Sequence, residues 1–153
     1  PSKEIRRVAH GSHIMLDFTG FFCEASEGAL KTMEVIRESV REAGVREVHH
    51  KTVVLGGDGD ALSPPGFTAC VLIDESHVTA HCYSEKGWLA VDVFTCGSHS
   101  TEDLARAIQN RLLKLEPALY LRSYFNVPRF RLGEEDTSLS IGKEEYASEE
   151  VAK

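Results

Sequence analysis

TACVLIDESHVTAHCYSEKGWLAVDVFTCG, residues 68–97, sets three strand-like runs in close succession. Its runs Thr68 to Asp74, His77 to Tyr83 and Trp88 to Thr95 are rich in β-branched and aromatic residues, and the links between them are too short to hold a helix. Strands joined this tightly pair as antiparallel neighbours, and Ser84-Glu85-Lys86-Gly87 reads as a hairpin turn. Side chains alternate along a strand, so His77, Thr79 and His81 are expected on one face. The strand that begins at Trp88 returns by hairpin, which places Cys96 near Glu75.

Upstream, Ile14, Leu16 and Phe18 alternate with Met15 and Asp17, which predicts a strand over His13 to Phe22. Ser26 is a candidate N-cap for a helix through Ala43 that Gly44 stops, with Leu30, Met33, Ile36 or Val35, Val40 and Ala43 as its buried stripe. A strand is expected over Val48 to Leu55. Ser100 caps another helix, which presents Leu104, Ile108, Leu112 and Leu115 and ends at Pro117, and a last strand runs from Leu119 to Phe125. The expected fold class is α+β: a two-layer sandwich of a mostly antiparallel sheet with two helices packed on one face.

The loop Gly56 to Gly66 contains Gly56-Gly57-Asp58-Gly59-Asp60 and Ser63-Pro64-Pro65-Gly66. It lacks the closing glutamate of a calcium loop and the Gly-Lys-Ser/Thr ending of a phosphate loop, so it reads as a turn. In a chain of 153 residues with net charge −7, the segment from Gly133 to Lys153 holds seven acids and two lysines and reads as a solvated acidic tail. No basic face points to nucleic acid and no apolar run is long enough for a membrane. Pro1 to His10 shows no leader-like pattern, and a cytoplasmic location is expected. Domain boundaries are expected at 1–9 for an extension, 10–132 for the folded domain and 133–153 for the tail.

None of the four cysteines, Cys23, Cys70, Cys82 and Cys96, pairs at CxxC spacing, and disulfides are not expected. Cys70, inside Ala69-Cys70-Val71-Leu72, reads as a core residue, whereas Cys96 stands at a strand end before Gly97. His77 and His81 lack further zinc ligands at local spacing, and Ser76 lacks a Gly-x-Ser-x-Gly elbow. On composition and spacing alone, hydrogen bonding at a sheet turn accounts for Ser76 and both histidines better than any chemistry does. His99, His49 and His50 read as surface or structural residues.

Glu75-Ser76-His77 with His81, followed by Ala90-Val91-Asp92-Val93-Phe94-Thr95-Cys96-Gly97, strongly resembles the short prokaryotic S-adenosylmethionine decarboxylase proenzymes. Pro65-Gly66-Phe67-Thr68 and His13-Ile14-Met15-Leu16 resemble the same family more weakly, so the resemblance covers roughly His10 to Leu132. It implies a chain that cleaves itself between Glu75 and Ser76 and keeps a pyruvoyl group made from Ser76, without pyridoxal phosphate or metal. It also implies His81 as processing base, Thr68 in the place of an assisting serine, and Cys96 as the acid that reprotonates the product. By the same resemblance, Glu75 is expected to supply the carbonyl that Ser76 attacks. The implied substrate is S-adenosylmethionine, decarboxylated to the aminopropyl donor of spermidine synthesis by a homodimer of processed protomers.

Two departures widen the expectation. Cys82-Tyr83-Ser84-Glu85 stands where relatives have Thr-Trp-Pro-Glu, and the Gly56 to Gly66 loop is longer than theirs. A pyruvoyl-dependent arginine or ornithine decarboxylase and an unprocessed regulatory homologue are the alternatives. Phe67, Tyr83 and Trp88 are candidate surfaces for adenine.

Overall fold

The computed structural model describes residues 11–56 and 62–130. The expected extension at 1–9, the whole acidic tail at 133–153 and the centre of the Gly/Asp loop lie outside the described residues. The elements run β1 (Gly11–Thr19), α1 (Ala25–Glu42), β2 (Glu47–Leu55), β3 (Gly66–Ile73), β4 (Ser76–Tyr83), β5 (Trp88–Cys96), α2 (Thr101–Leu115) and β6 (Tyr120–Arg129). The strands form one sheet in the order β2-β3-β4-β5-β1-β6, and every ladder is antiparallel.

Alternation splits each strand between two faces. Ile14, Leu16 and Phe18, with Phe67, Ala69 and Val71, Val78, Ala80 and Cys82, and Leu89, Val91 and Val93, are buried beneath the helices. α1 lies on β2 and β3, and α2 on β1 and β5. Arg111 bridges them through ion pairs to Glu38 and Glu42 of α1. The expected two-layer architecture is the observed one.

Several local expectations shift. The N-cap of α1 is Glu24, not Ser26: its carboxylate accepts from the backbone N–H of Ser26 at 3.1 Å and of Glu27 at 2.9 Å. Those donors satisfy the charged form and hold the Glu24 carboxyl below its ordinary range. The buried stripe then follows Ala25, Gly28, Ala29, Thr32, Met33, Val35, Ile36, Ser39 and Val40, leaving Leu30 and Ala43 exposed. Small residues at 25, 28 and 29 bring the helix close to the sheet, which turns Leu30 outward.

α2 is capped by Ser100 as expected, its side chain accepting from the Asp103 N–H at 3.1 Å. Leu104, Ile108 and Leu112 are buried, but Leu115, in the last turn, is 36% exposed. β1 stops at Thr19 because Gly20, at φ +93°, turns the chain. β6 continues four residues past Phe125, since β1 offers partners as far as Gly11↔Arg129.

Candidate active site

The sheet face away from the helices has no covering layer among the described residues. It presents His13, Met15 and Asp17 of β1, Thr68, Cys70 and Leu72 of β3, and His77, Thr79, His81 and Tyr83 of β4. Trp88, Ala90, Asp92 and Cys96 of β5 share it, with Ser123, Phe125, Val127 and Arg129 of β6, as the cross-strand registers require. His77, Thr79 and His81 do share one face. Cys70 corrects its expectation: it opposes Thr79 on this half-buried side, and Cys82 is the buried core thiol. An apolar sequence neighbourhood does not reveal which side of a pleat a residue takes.

At one end of this face β3 turns into β4 through Asp74 and Glu75. Ser76 opens β4 opposite Ile73 on one side and Thr95 on the other. Its φ of 150° is one that residues with a side chain rarely adopt. The Ser76 hydroxyl lies 3.5 Å from His77 Nδ1. Burial, followed by the nearby His13, pushes the His77 imidazole below its usual range and favours its neutral form.

Cys96 follows Thr95 on β5 and is the expected neighbour of Glu75. A Cβ built on Gly97 would lie 3.0 Å from Glu75 Oε2. Burial first, and then the Glu75 carboxylate, raise the Cys96 thiol above its ordinary range, against a smaller opposing pull from Arg129. The loop after Cys96 is anchored to α2: Thr95 Oγ1 bonds Thr101 Oγ1, and it donates to the His99 carbonyl at 3.3 Å.

His81 does not join Ser76. It stands five residues along β4, which at strand rise is roughly 16 Å away. There its Nδ1 is 2.8 Å from the Thr68 hydroxyl directly across the β3–β4 ladder. Beside it opens a cavity of about 370 Å³, whose walls include Asp17, His81, Tyr83, Trp88 and Arg122. Tyr83 stands edge-on to His81 at 4.7 Å between ring centroids and edge-on to Trp88 at 6.4 Å. Phe67, the other candidate adenine surface, is 0% exposed in the core and cannot meet a ligand.

Sequence reasoning missed a group beside Cys96. Arg129 Nη1 donates to His13 Nδ1 at 3.2 Å, which leaves the His13 proton on Nε2, 3.4 Å from Asp92 Oδ1. His13 stacks on Phe94 at 5.5 Å, and the Arg129 guanidinium lies 4.9 Å over the same ring. A charge at Asp92 between Val91 and Val93 was the available signal, since an acid inside an apolar run marks a solvated or paired face. Arg129 lay beyond the expected end of its strand.

Among the described residues no cluster of three or more His, Cys, Asp or Glu side chains is placed to hold a metal ion, and no helix is long and apolar enough to cross a membrane.

Fold and site together define a two-layer α+β protein with a hydroxyl at the head of a hairpin and a thiol one residue past its cross-strand partner. A family model described as S-adenosylmethionine decarboxylase matches residues 12–118. The chain is 37% identical over 92 residues to the S-adenosylmethionine decarboxylase proenzyme of Moorella thermoacetica, an alignment covering 58% of this chain and 66% of that one. It is 32% identical over 103 residues to the proenzyme of the same name from Methanococcus vannielii, covering 67% of this chain and 79% of that one. The solved adenosylmethionine decarboxylase of Aquifex aeolicus superposes with a TM-score of 0.54 at 22% identity, over 79% of this chain and 89% of that one, a likeness of fold. The chain belongs to the S-adenosylmethionine decarboxylase family. It spans just under two thirds of the length of the Moorella relative.

Proposed function

We propose that this protein is a self-processing, pyruvoyl-dependent decarboxylase of S-adenosylmethionine, serving spermidine synthesis in the cytoplasm. The observation that carries the reading is Ser76 at the hairpin head, held at φ 150° with Glu75 before it and Thr95, the residue preceding Cys96, across the ladder. Hydroxyls are weak nucleophiles, and a backbone held away from its preferred conformation favours the shift of the Glu75–Ser76 peptide to an ester. In that step Ser76 Oγ bonds the Glu75 carbonyl carbon and the peptide C–N bond breaks. Loss of the Ser76 Hα to a base then expels the Glu75 carboxylate, and water converts the remaining dehydroalanine into a keto group with release of ammonia.

The residues present suit the resulting pyruvoyl group, which supplies an electron sink for the charge left when CO₂ departs. Cys96 is the proton donor to the α-carbon, and its raised thiol stays protonated at neutral pH. Pyridoxal phosphate and metal have no part in this reading.

Base and assisting hydroxyl are His81 and Thr68, and their distance from Ser76 favours a homodimer. In an isologous pair stacked open face to open face, the His81 end of one protomer meets the Ser76 end of the other. Exposed Leu72, Trp88, Phe125 and Val127 give that face its apolar character. The same stacking sets the cavity walled by Tyr83 and Trp88 beside the second protomer's Ser76, where an adenine would find aromatic surface.

Named as they are, the relatives do not favour arginine or ornithine as substrate, nor an unprocessed regulatory chain. Release of labelled CO₂ is the test, with carboxyl-labelled S-adenosylmethionine, arginine and ornithine run in parallel. Release from S-adenosylmethionine alone is expected, and cleaved protein that releases none from it overturns the substrate.

A further inference from the structure

Cys23, in the link between β1 and α1, and Cys82, at the end of β4, meet on the helix side of the sheet. The Cys23 thiol lies 3.7 Å from the Ser84 hydroxyl, and the Cys82 sulfur lies 4.0 Å from that same oxygen. Ser84 is 3% exposed and Cys82 fully buried, whereas Cys23 remains partly open to solvent. No step of the proposed decarboxylation uses either sulfur.

We infer that Cys23 and Cys82 form a reactive dithiol that closes to a disulfide when a small-molecule disulfide such as oxidised glutathione is present. The accessible Cys23 thiolate attacks one sulfur of the reagent, forming a mixed disulfide and expelling the first thiolate. The Cys82 thiolate then attacks Cys23 Sγ and expels the second. Two electrons and two protons pass from the protein to the reagent, which leaves as two thiols.

The order of attack follows from the surroundings. The Cys82 thiol is pushed up to about 12, first by burial and then by the neighbouring Cys23 charge. Once Cys23 is in the mixed disulfide it bears no charge, so that part of the penalty on Cys82 disappears as its turn comes. Ser84 holds both sulfurs to one oxygen, which orients them before reaction.

The pair also spans residue 76 in the sequence. If the chain is cut as proposed above, Cys23 stays on the amino-terminal fragment and Cys82 on the carboxy-terminal one. The disulfide then becomes a covalent tie between two otherwise separate polypeptides, and this consequence alone rests on the cleavage reading. Cys82 precedes Tyr83 and follows His81, so the tie also anchors the strand that walls the cavity.

The experiment treats purified full-length protein with oxidised glutathione, blocks remaining thiols, and maps disulfide-linked peptides by mass spectrometry without reduction. A Cys23–Cys82 peptide and the loss of two of the four thiols are expected, both reversed by a reductant. Glutathione adducts without that peptide, or a link through Cys70 or Cys96, would overturn the inference. Cys82→Thr supplies a second readout: it should retain a glutathione adduct on Cys23 that wild type resolves, and equal adduct levels in both proteins count against the pair. A chain that proves uncut yet yields the linked peptide supports the dithiol and refutes the cleavage.

Discussion

Thr68 and His81 face each other across the β3–β4 ladder with Oγ1 and Nδ1 2.8 Å apart, while the hydroxyl they are expected to serve opens the far end of the same strand. A hydrogen-bonded pair standing that far from Ser76 makes sense when another copy of the chain brings the two ends together.

Complementation measures that arrangement. Ser76→Ala and His81→Ala chains should each remain uncut alone. Co-expressed, the His81→Ala chain should be cleaved at its own Ser76 by the histidine of its partner. No cleavage in the mixture, with both variants folded and dimeric, would reject the shared site.

Cys96→Ala should leave cleavage intact and lower turnover by about 10²–10⁴-fold, the usual contribution of a positioned acid. Single-turnover rates on the cleaved variant measure it, and unchanged turnover would remove the thiol from the reaction.

The pH dependence has a fixed sign. A proton donor works below its pKa, so the rate should fall on the alkaline side as Cys96 loses its proton. Burial and Glu75 push that limb to higher pH, and Arg129 pulls it back. In cleaved protein Glu75→Gln should therefore move the limb to lower pH and Arg129→Gln to higher pH. Shifts in the opposite directions in kcat–pH profiles would contradict the assignment.

Core and surface of α1 separate cleanly. Ile36, 0% exposed, should cost about 2–5 kcal/mol when changed to Ala. Leu30→Ala, at a position 72% exposed, should change stability by no more than about 0.5 kcal/mol. Urea midpoints of the two variants provide the comparison.

How much the sequence reveals depends on the range of the interaction. The hairpins of residues 68–97 are legible because period-2 alternation and turn residues are local, and they carried Ser76, Glu75 and Cys96 to one end of the sheet. The α1 cap falls at Glu24 rather than Ser26 because a carboxylate two residues earlier satisfies the Ser26 and Glu27 N–H groups and starts the helix there. Leu30 was misread because the small residues beside it, not the largest one, set the helix against the sheet. Arg129, His13 and Asp92 meet only when β6 pairs with β1 and β1 with β5, and no local pattern announces those registers. The separation of His81 from Ser76 was implicit in their spacing on one strand, but motif proximity concealed it.

The intact mass of freshly purified protein under reducing, denaturing conditions reads the state of the Glu75–Ser76 bond. Two fragments divided between Glu75 and Ser76, the carboxy-terminal one bearing a keto group that reacts with a hydrazine in place of an amino terminus, are the predicted result. A single uncut chain with an ordinary serine at position 76 would contradict the account.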